Sequence, residues 1–259
     1  QSQRQTATQA SEADTAKEQQ AVALINQGKL QEAEAIYRDL IAAGTRNVIV
    51  FGNLAVICGM QGRSNELLDL LTKALELKPD DPDIHNNLGI ALQQQGDLAA
   101  AIDSYNKALA FRPNYPEAHN NLGIALKERG DLIAAIDSYN KALKLRPGYP
   151  EAHNNLGIAL QEQGDLAAAI DSYNKALELK CNYPEAHYNL GNALKERGDL
   201  NAAIGSYNKA LELNRNYPEA HYNLGNAFQE RGDSIAAIDS YNKALKLKPG
   251  YPEAHNNLG

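Results

Sequence analysis

The sequence repeats itself every 34 residues. Gly89, Gly123, Gly157, Gly191, Gly225 and Gly259 keep that step, and His85, His119, His153, His187, His221 and His255 keep it too. A fixed period of this length marks stacked supersecondary units, none of which can bury its apolar face alone. One unit, Pro116 to Tyr149, reads PEAHNNLGIALKERGDLIAAIDSYNKALKLRPGY.

Pro116 suits the first turn of a helix, where no amide hydrogen is needed. Ala118, His119, Leu122, Ala125 and Leu126 recur at helical spacing as one apolar stripe. Gly130 offers a left-handed stop, and Asp131 stands where an N-cap would open a second helix. That helix is expected to bury Ala135, Ile136, Tyr139, Ala142 and Leu143 and to end at Pro147. Gly123 and Ala135 are small enough for two helix backbones to approach, with Tyr139 and Leu122 filling the space beside them. The result is a helical hairpin that must stack on copies of itself, so the fold class expected is all-α, an α-solenoid.

At these residues the chain resembles the tetratricopeptide repeat family. The family pattern of large, Leu, Gly, large, Ala, aromatic, Ala, Pro is matched by His119, Leu122, Gly123, Leu126, Ala135, Tyr139, Ala142 and Pro147. His stands where the family usually has Trp, Cys181 and Arg215 replace the closing Pro, and Gly205 replaces a repeated Asp. The resemblance implies a right-handed superhelix of helix-turn-helix repeats whose first helices line a concave groove. The register predicts an irregular leader over 1–13 and a degenerate first repeat over 14–47, in which Lys17 and Gln20 mark a cap facing water. Six full repeats follow over 48–81, 82–115, 116–149, 150–183, 184–217 and 218–251, with the start of an eighth over 252–259.

Composition narrows the function. Thirty-two acids against 25 bases give a formal charge of -7, which disfavours nucleic acid or an anionic membrane surface as partner. No run approaches the roughly 18 apolar residues of a membrane span, and the polar start has no features of a signal peptide. Two cysteines, Cys58 and Cys181, are too few for a disulfide framework and suit a reducing compartment, so a cytoplasmic location is expected. The chain begins without Met and stops at Leu258-Gly259, which reads as a piece of something longer.

Conventional chemistry finds no support, so no enzyme, cofactor or metal is expected. Equivalent histidines on helices about 8 to 10 Å apart cannot share a zinc ion that needs each nitrogen at about 2.0 to 2.1 Å. Their place in the apolar stripe points to packing. No phosphate-cradling motif and no Cys-x-x-Cys pair occurs. Asp103 with Lys107, Asp137 with Lys141, Asp171 with Lys175 and Asp239 with Lys243 read as i, i+4 pairs supporting their own helices.

The informative surface is the face of each first helix opposite its stripe. A step of 100° per residue places Glu117, Asn120, Ile124 and Glu128 there, with Asn121 and Lys127 flanking. One flank is the same in every unit after the first: Asn53, Asn87, Asn121, Asn155, Asn189, Asn223 and Asn257. A ladder of primary amides can hold an extended chain through its backbone; the same asparagines could instead bond neighbouring repeats and set the stacking. The ladder resembles that of the tetratricopeptide region of O-linked N-acetylglucosamine transferases, where repeated asparagines grip protein substrates.

A carboxylate clamp like that of chaperone-binding relatives is not expected, because acids such as Asp83 and Glu117 stand where its Lys belongs. The acidic wall of Glu117, Glu151, Glu185 and Glu219 predicts a neutral to basic ligand. The groove also changes along its length: Asn86 with Ile90, Asn120 with Ile124 and Asn154 with Ile158 give way to Tyr188 with Asn192 and Tyr222 with Asn226. These features predict a non-catalytic scaffold that holds an extended peptide, with tightest binding at the Tyr-Asn units. The alternatives are a substrate-recognition arm of a larger enzyme, such as a glycosyltransferase, and a module working through its ends. The seventh repeat, with Ala236, Ala237, Tyr241 and Leu245 in its second helix, is expected to show part of its apolar side and to associate with another copy at high concentration or to fray.

Overall fold

A computed structural model of the chain describes residues 2–258, and of residues 2–13 the backbone alone. Among the described residues there are fifteen helices and no strand. They are α1 Ser2–Asn26, α2 Leu30–Ala42, α3 Val48–Met60, α4 Ser64–Leu77, α5 Pro82–Gln94, α6 Leu98–Phe111, α7 Pro116–Glu128, α8 Leu132–Leu145, α9 Pro150–Gln163, α10 Leu166–Leu179, α11 Pro184–Arg197, α12 Leu200–Leu213, α13 Pro218–Arg231, α14 Ser234–Leu247 and α15 Pro252–Leu258. Two compact units divide the chain, residues 1–125 and 126–259.

Local signals explain the boundaries. Pro opens five of the first helices, α5, α7, α9, α11 and α13, as well as α15. Gly130 and its counterparts end them with positive φ, 93° at Gly130, and Asp131 N then bonds back to Leu126 O at 2.9 Å. Second helices open at Asp, but not uniformly. Asp97 and Asp165 cap through the amides of Ala100 and Ala168, each at 3.0 Å. Asp131 does not cap its helix as expected; its carboxylate is taken by Arg129, and Arg197 takes that of Asp199 in the same way. The backbone of α1 is helical from Ser2, which corrects the irregular leader expected over 1–13; Gln1 lies outside the described residues. No Gly or Pro interrupts that stretch, so nothing in it breaks the helical hydrogen bonds. Lys17 and Gln20 are exposed.

In the first unit, α5 packs on α6, and α2 and α4 pack on the first helix of the next hairpin. Tyr37, Leu40, Leu54, Ile57, Cys58 and Leu71 form its core. Cys58 is fully buried, and that burial pushes its thiol pKa up. Arg38 and Arg63 each bridge Glu34 and Glu66, at 2.6 to 2.8 Å, tying the first two hairpins together.

In the second unit the hairpins α9/α10, α11/α12 and α13/α14 repeat one packing. Its centre is a fully buried tyrosine, Tyr173, Tyr207 or Tyr241. The repeating glycine serves that ring rather than a backbone approach: a Cβ on Gly191 would lie 2.6 Å from the Tyr207 ring. Burying such a side chain contributes roughly 1.5 to 3 kcal/mol. The i, i+4 pair forms at Asp137 with Lys141 and Asp239 with Lys243, but Lys175 turns to Glu178 at 2.7 Å, a Glu one turn on where those two repeats have Lys144 and Lys246.

Candidate functional site

The first helices carry the candidate site, and their histidines prove to be struts. The Nε2–H of His153 donates to the Pro147 carbonyl at 2.9 Å, and every repeat from His85 to His255 makes the same bond to the residue six positions earlier. The imidazole therefore ties the start of one hairpin to the turn that closes the one before. Among the described residues no group of three or more His, Cys, Asp or Glu could hold a metal ion.

The ladder asparagines spend their amide hydrogens on the preceding repeat. Asn53 donates to Tyr37 Oη at 3.0 Å, Asn121 to Asn86 Oδ1 at 3.1 Å and Asn189 to Asn154 Oδ1 at 3.0 Å. Asn223 donates to Tyr188 Oη and Asn192 Oδ1, and Asn257 to Tyr222 Oη and Asn226 Oδ1. Asn87 and Asn155 are half-buried in the same row. These bonds fix each carboxamide, and no protein donor meets Oδ1 of Asn53, Asn121, Asn189, Asn223 or Asn257 among the described residues. Oriented acceptors remain in each unit.

Asn86, Asn120 and Asn154, expected to face the groove, are each only 5% exposed. The next repeat stacks over Asn86 and Asn154, as the bonds from Asn121 to Asn86 and from Asn189 to Asn154 show. Ile90, Ile124 and Ile158 stay half-exposed. Where the pair switches, the tyrosines gain neighbours that the sequence reading missed. Tyr188 packs on Tyr217 with centroids 4.9 Å apart, and Tyr222 on Tyr251 at 5.0 Å. Asn192 and Asn226 also accept from the core phenols Tyr207 and Tyr241, both at 2.8 Å. The switched residues are thus partly structural, linking the core to the exposed face.

Charge is more balanced than the acidic wall implied. Glu151 pairs with Lys180 at 3.0 Å and Glu219 with Lys248 at 3.7 Å, each cation coming from the turn 29 residues later. Asp83 makes the same link to Arg112 in the first unit. Glu185 is exposed and has no such partner, while Glu117 lies half-buried in the same row. Beside the ladder sit two recesses at one register. In the first unit a recess of about 340 Å³ is lined by Val56, Met60, Leu67, Leu71, Asn87 and Ile90. In the second, one of about 470 Å³ is lined by Ile158, Gln161, Glu162, Tyr173, Asn189 and Asn192. Among the described residues no helix is long and apolar enough to cross a membrane.

Comparisons place this architecture. The family profile described as TPR repeat matches residues 61–96, 91–130, 125–164, 159–198 and 191–232, and one described as tetratricopeptide repeat matches 218–251. Comparison with curated proteins finds no match. Among solved structures, the chain is similar to one in the APC/C hetero-tetramer Cut9-Hcn1, with TM-score 0.77 and 19% identity over 92% of this chain and 47% of that one. It thus spans about half of that relative's length. It is also similar to pilF of Pseudomonas aeruginosa (TM-score 0.72, 22% identity, 81% of this chain and 95% of that one). A third is YrrB, titled a TPR protein with an unusual peptide-binding site, with TM-score 0.60 and 24% identity over 72% of this chain and 96% of that one. The profiles run through the hairpins from residue 61 to residue 251, and the chain belongs to the tetratricopeptide repeat family.

Proposed function

We propose that the protein is a non-catalytic scaffold that holds an extended, neutral to basic segment of another protein along its first helices. The observation that carries this reading is the set of Oδ1 atoms of Asn53 and Asn121 in the first unit and of Asn189, Asn223 and Asn257 in the second, held in place by Nδ2 bonds to the preceding repeat. Backbone N–H groups of an extended peptide are the natural donors for such acceptors, and they are the same whatever the peptide's side chains. Each bond contributes on the order of 0.5 to 1.5 kcal/mol net, so several in register give modest affinity. Ile90, Ile124 and Ile158 supply apolar contact, and Tyr188 and Tyr222 supply aromatic contact. Self-association through α14 is a second property we propose: Ile238 is 49% exposed, whereas Ile170 and Ile204, its counterparts, are 6% and 7% exposed.

Selection of peptides from a random display library tests the reading. Binders selected on the wild-type protein should lose affinity on a Tyr188→Ala, Tyr222→Ala variant of unchanged helix content. Failure to recover any binder, or binders indifferent to the exposed face, would contradict it.

A further inference from the structure

The turn that precedes each first helix from α7 onward carries a tyrosine, and the residue three before it is a cation in four of five cases: Arg112, Arg146, Lys180 and Lys248. Each of these lies over its own tyrosine ring, with the charge 4.4 to 5.0 Å from the centroid. Lys180 and Lys248 reach past the ring to the acid 29 residues earlier, Glu151 and Glu219. Arg112 does the same with Asp83, through two bonds of 2.8 Å. A cation held between a π face and a carboxylate is thus a repeated element of the fold.

The fifth position is Asn214. Its Oδ1 accepts from the amide of Asn216 at 3.1 Å, so the side chain serves its own turn. The other two parts of the element are still present. Tyr217 packs on Tyr188 at 4.9 Å, matching the 5.0 Å between Tyr251 and Tyr222, and Glu185 occupies the place of Glu219. Among the described residues no Lys or Arg lies over Tyr217 or within ion-pair reach of Glu185. Glu185 is correspondingly exposed, where Glu151 and Glu219 are half-buried.

We infer that Glu185 and Tyr217 form a binding slot for a cationic side chain of the bound partner, a lysine or arginine that takes the position Lys248 fills one repeat later. The chain's own Lys180 and Lys248 show which chemistry fits this geometry. The slot adjoins Tyr188 and Asn192, so it sets a register for a basic residue in the held segment. Its meaning rests on the scaffold reading, but its chemistry can be read without any peptide.

The probe is N-acetyl-lysine amide, with N-acetyl-arginine amide as a second arm and N-acetyl-norleucine amide as the uncharged control. The full chain carries 13C-labelled tyrosine rings, and the Tyr217 signal is assigned by its loss in Tyr217→Phe. The lysine probe should move that signal saturably, and norleucine should not. Glu185→Gln should weaken binding about two- to five-fold, the span of an exposed ion pair. Asn214→Lys should abolish the shift, because the chain then fills its own slot, while the Tyr183 signal stays put in every variant. No saturable shift, an equal response to norleucine, or a shift that survives Asn214→Lys would overturn the inference. Selected peptides that bind without a basic residue, together with a silent Tyr217, would remove the slot and leave the scaffold; a responsive Tyr217 without any peptide binder would do the reverse.

Discussion

The two recesses occupy one register of the repeat, three units apart, and their linings share almost nothing. Val56, Gly59, Met60, Leu71 and Ile90 of the first unit correspond to Ile158, Gln161, Glu162, Tyr173 and Asn192 of the second. The backbone is the same hairpin in both. The difference starts in the core. Leu71 has no polar atom, so its neighbours can be apolar, whereas the buried Tyr173 phenol must donate and finds Gln161 at 3.1 Å. In the next two repeats Asn192 and Asn226 take that role for Tyr207 and Tyr241. In these three repeats the aromatic core residue therefore places a polar acceptor on the first helix. The repeats of Tyr173, Tyr207 and Tyr241 carry such an amide acceptor, the repeat of Tyr139 does not, and the repeat with Leu71 has no phenol to satisfy.

The comparison can be broken first at the glycine. Ala55 faces Leu71 where Gly157 faces Tyr173, and a Cβ on Gly157 would fall 2.6 Å from the ring. Gly157→Ala should destabilise by about 1 to 3 kcal/mol through overpacking, offset by up to about 1 kcal/mol of helix propensity. Adding Tyr173→Leu should restore part of the loss, which urea unfolding of the three proteins would show. The first repeat combines Ala21 with Tyr37, both fully buried, so the lower half of that range is expected.

The phenols give a finer test. Tyr207 donates to Asn192, but Tyr139 Oη is buried without a partner, since its repeat has Ile124 and Lys127 at the acceptor positions. Tyr207→Phe should cost about 1 kcal/mol, and Tyr139→Phe should be neutral or stabilising. Equal losses in thermal melts would mean that the phenol's hydrogen bond does not govern the surface.

The histidine struts set a pH dependence. Burial lowers the pKa of His187 and of His221 below the ordinary 6.5. The neutral ring is then favoured in the folded state, and the unfolded chain binds more protons as pH falls through that value. Their contribution is present above about pH 6.5 and is lost as pH drops through the folded pKa values. The melting temperature should therefore fall between pH 7.5 and pH 5.5, and His187→Gln should flatten part of the slope. The smallest effect concerns α14: Ile238→Lys should reduce self-association in a sedimentation series without changing the melt, because that side chain is already half in water.

Period, hairpin, helix ends and the tetratricopeptide family were all legible in the sequence, because a 34-residue step repeated through the chain averages out local ambiguity. Surface detail was less so. The 100° construction put Asn154 on the open face, but it describes one helix and cannot know that Asn189 of the next repeat covers it. Asp131 looked like a cap because the competing Arg129 is two residues away and acts only once both are folded. The second helix of the seventh repeat was expected to show part of its apolar side: Ala236 and Leu245 are partly exposed, Ala237 and Tyr241 are buried, and Ile238, which that expectation left out, is 49% exposed. The cation row was visible as Arg, Arg, Lys, Asn, Lys at 34-residue spacing; its pairing with acids 29 residues earlier needed the stacked structure.

In the proposed scaffold, oriented Oδ1 atoms accept from a ligand's backbone. A display-selected peptide, resynthesised with single backbone N-methyl groups along its length, tests this without altering the protein. Anisotropy titrations should show losses of about two- to twelve-fold at regularly spaced positions, the equivalent of one hydrogen bond each. Substituting the side chains at those same positions should matter little. Affinity that ignores N-methylation throughout and follows side chains alone would contradict the ladder as the ligand's grip.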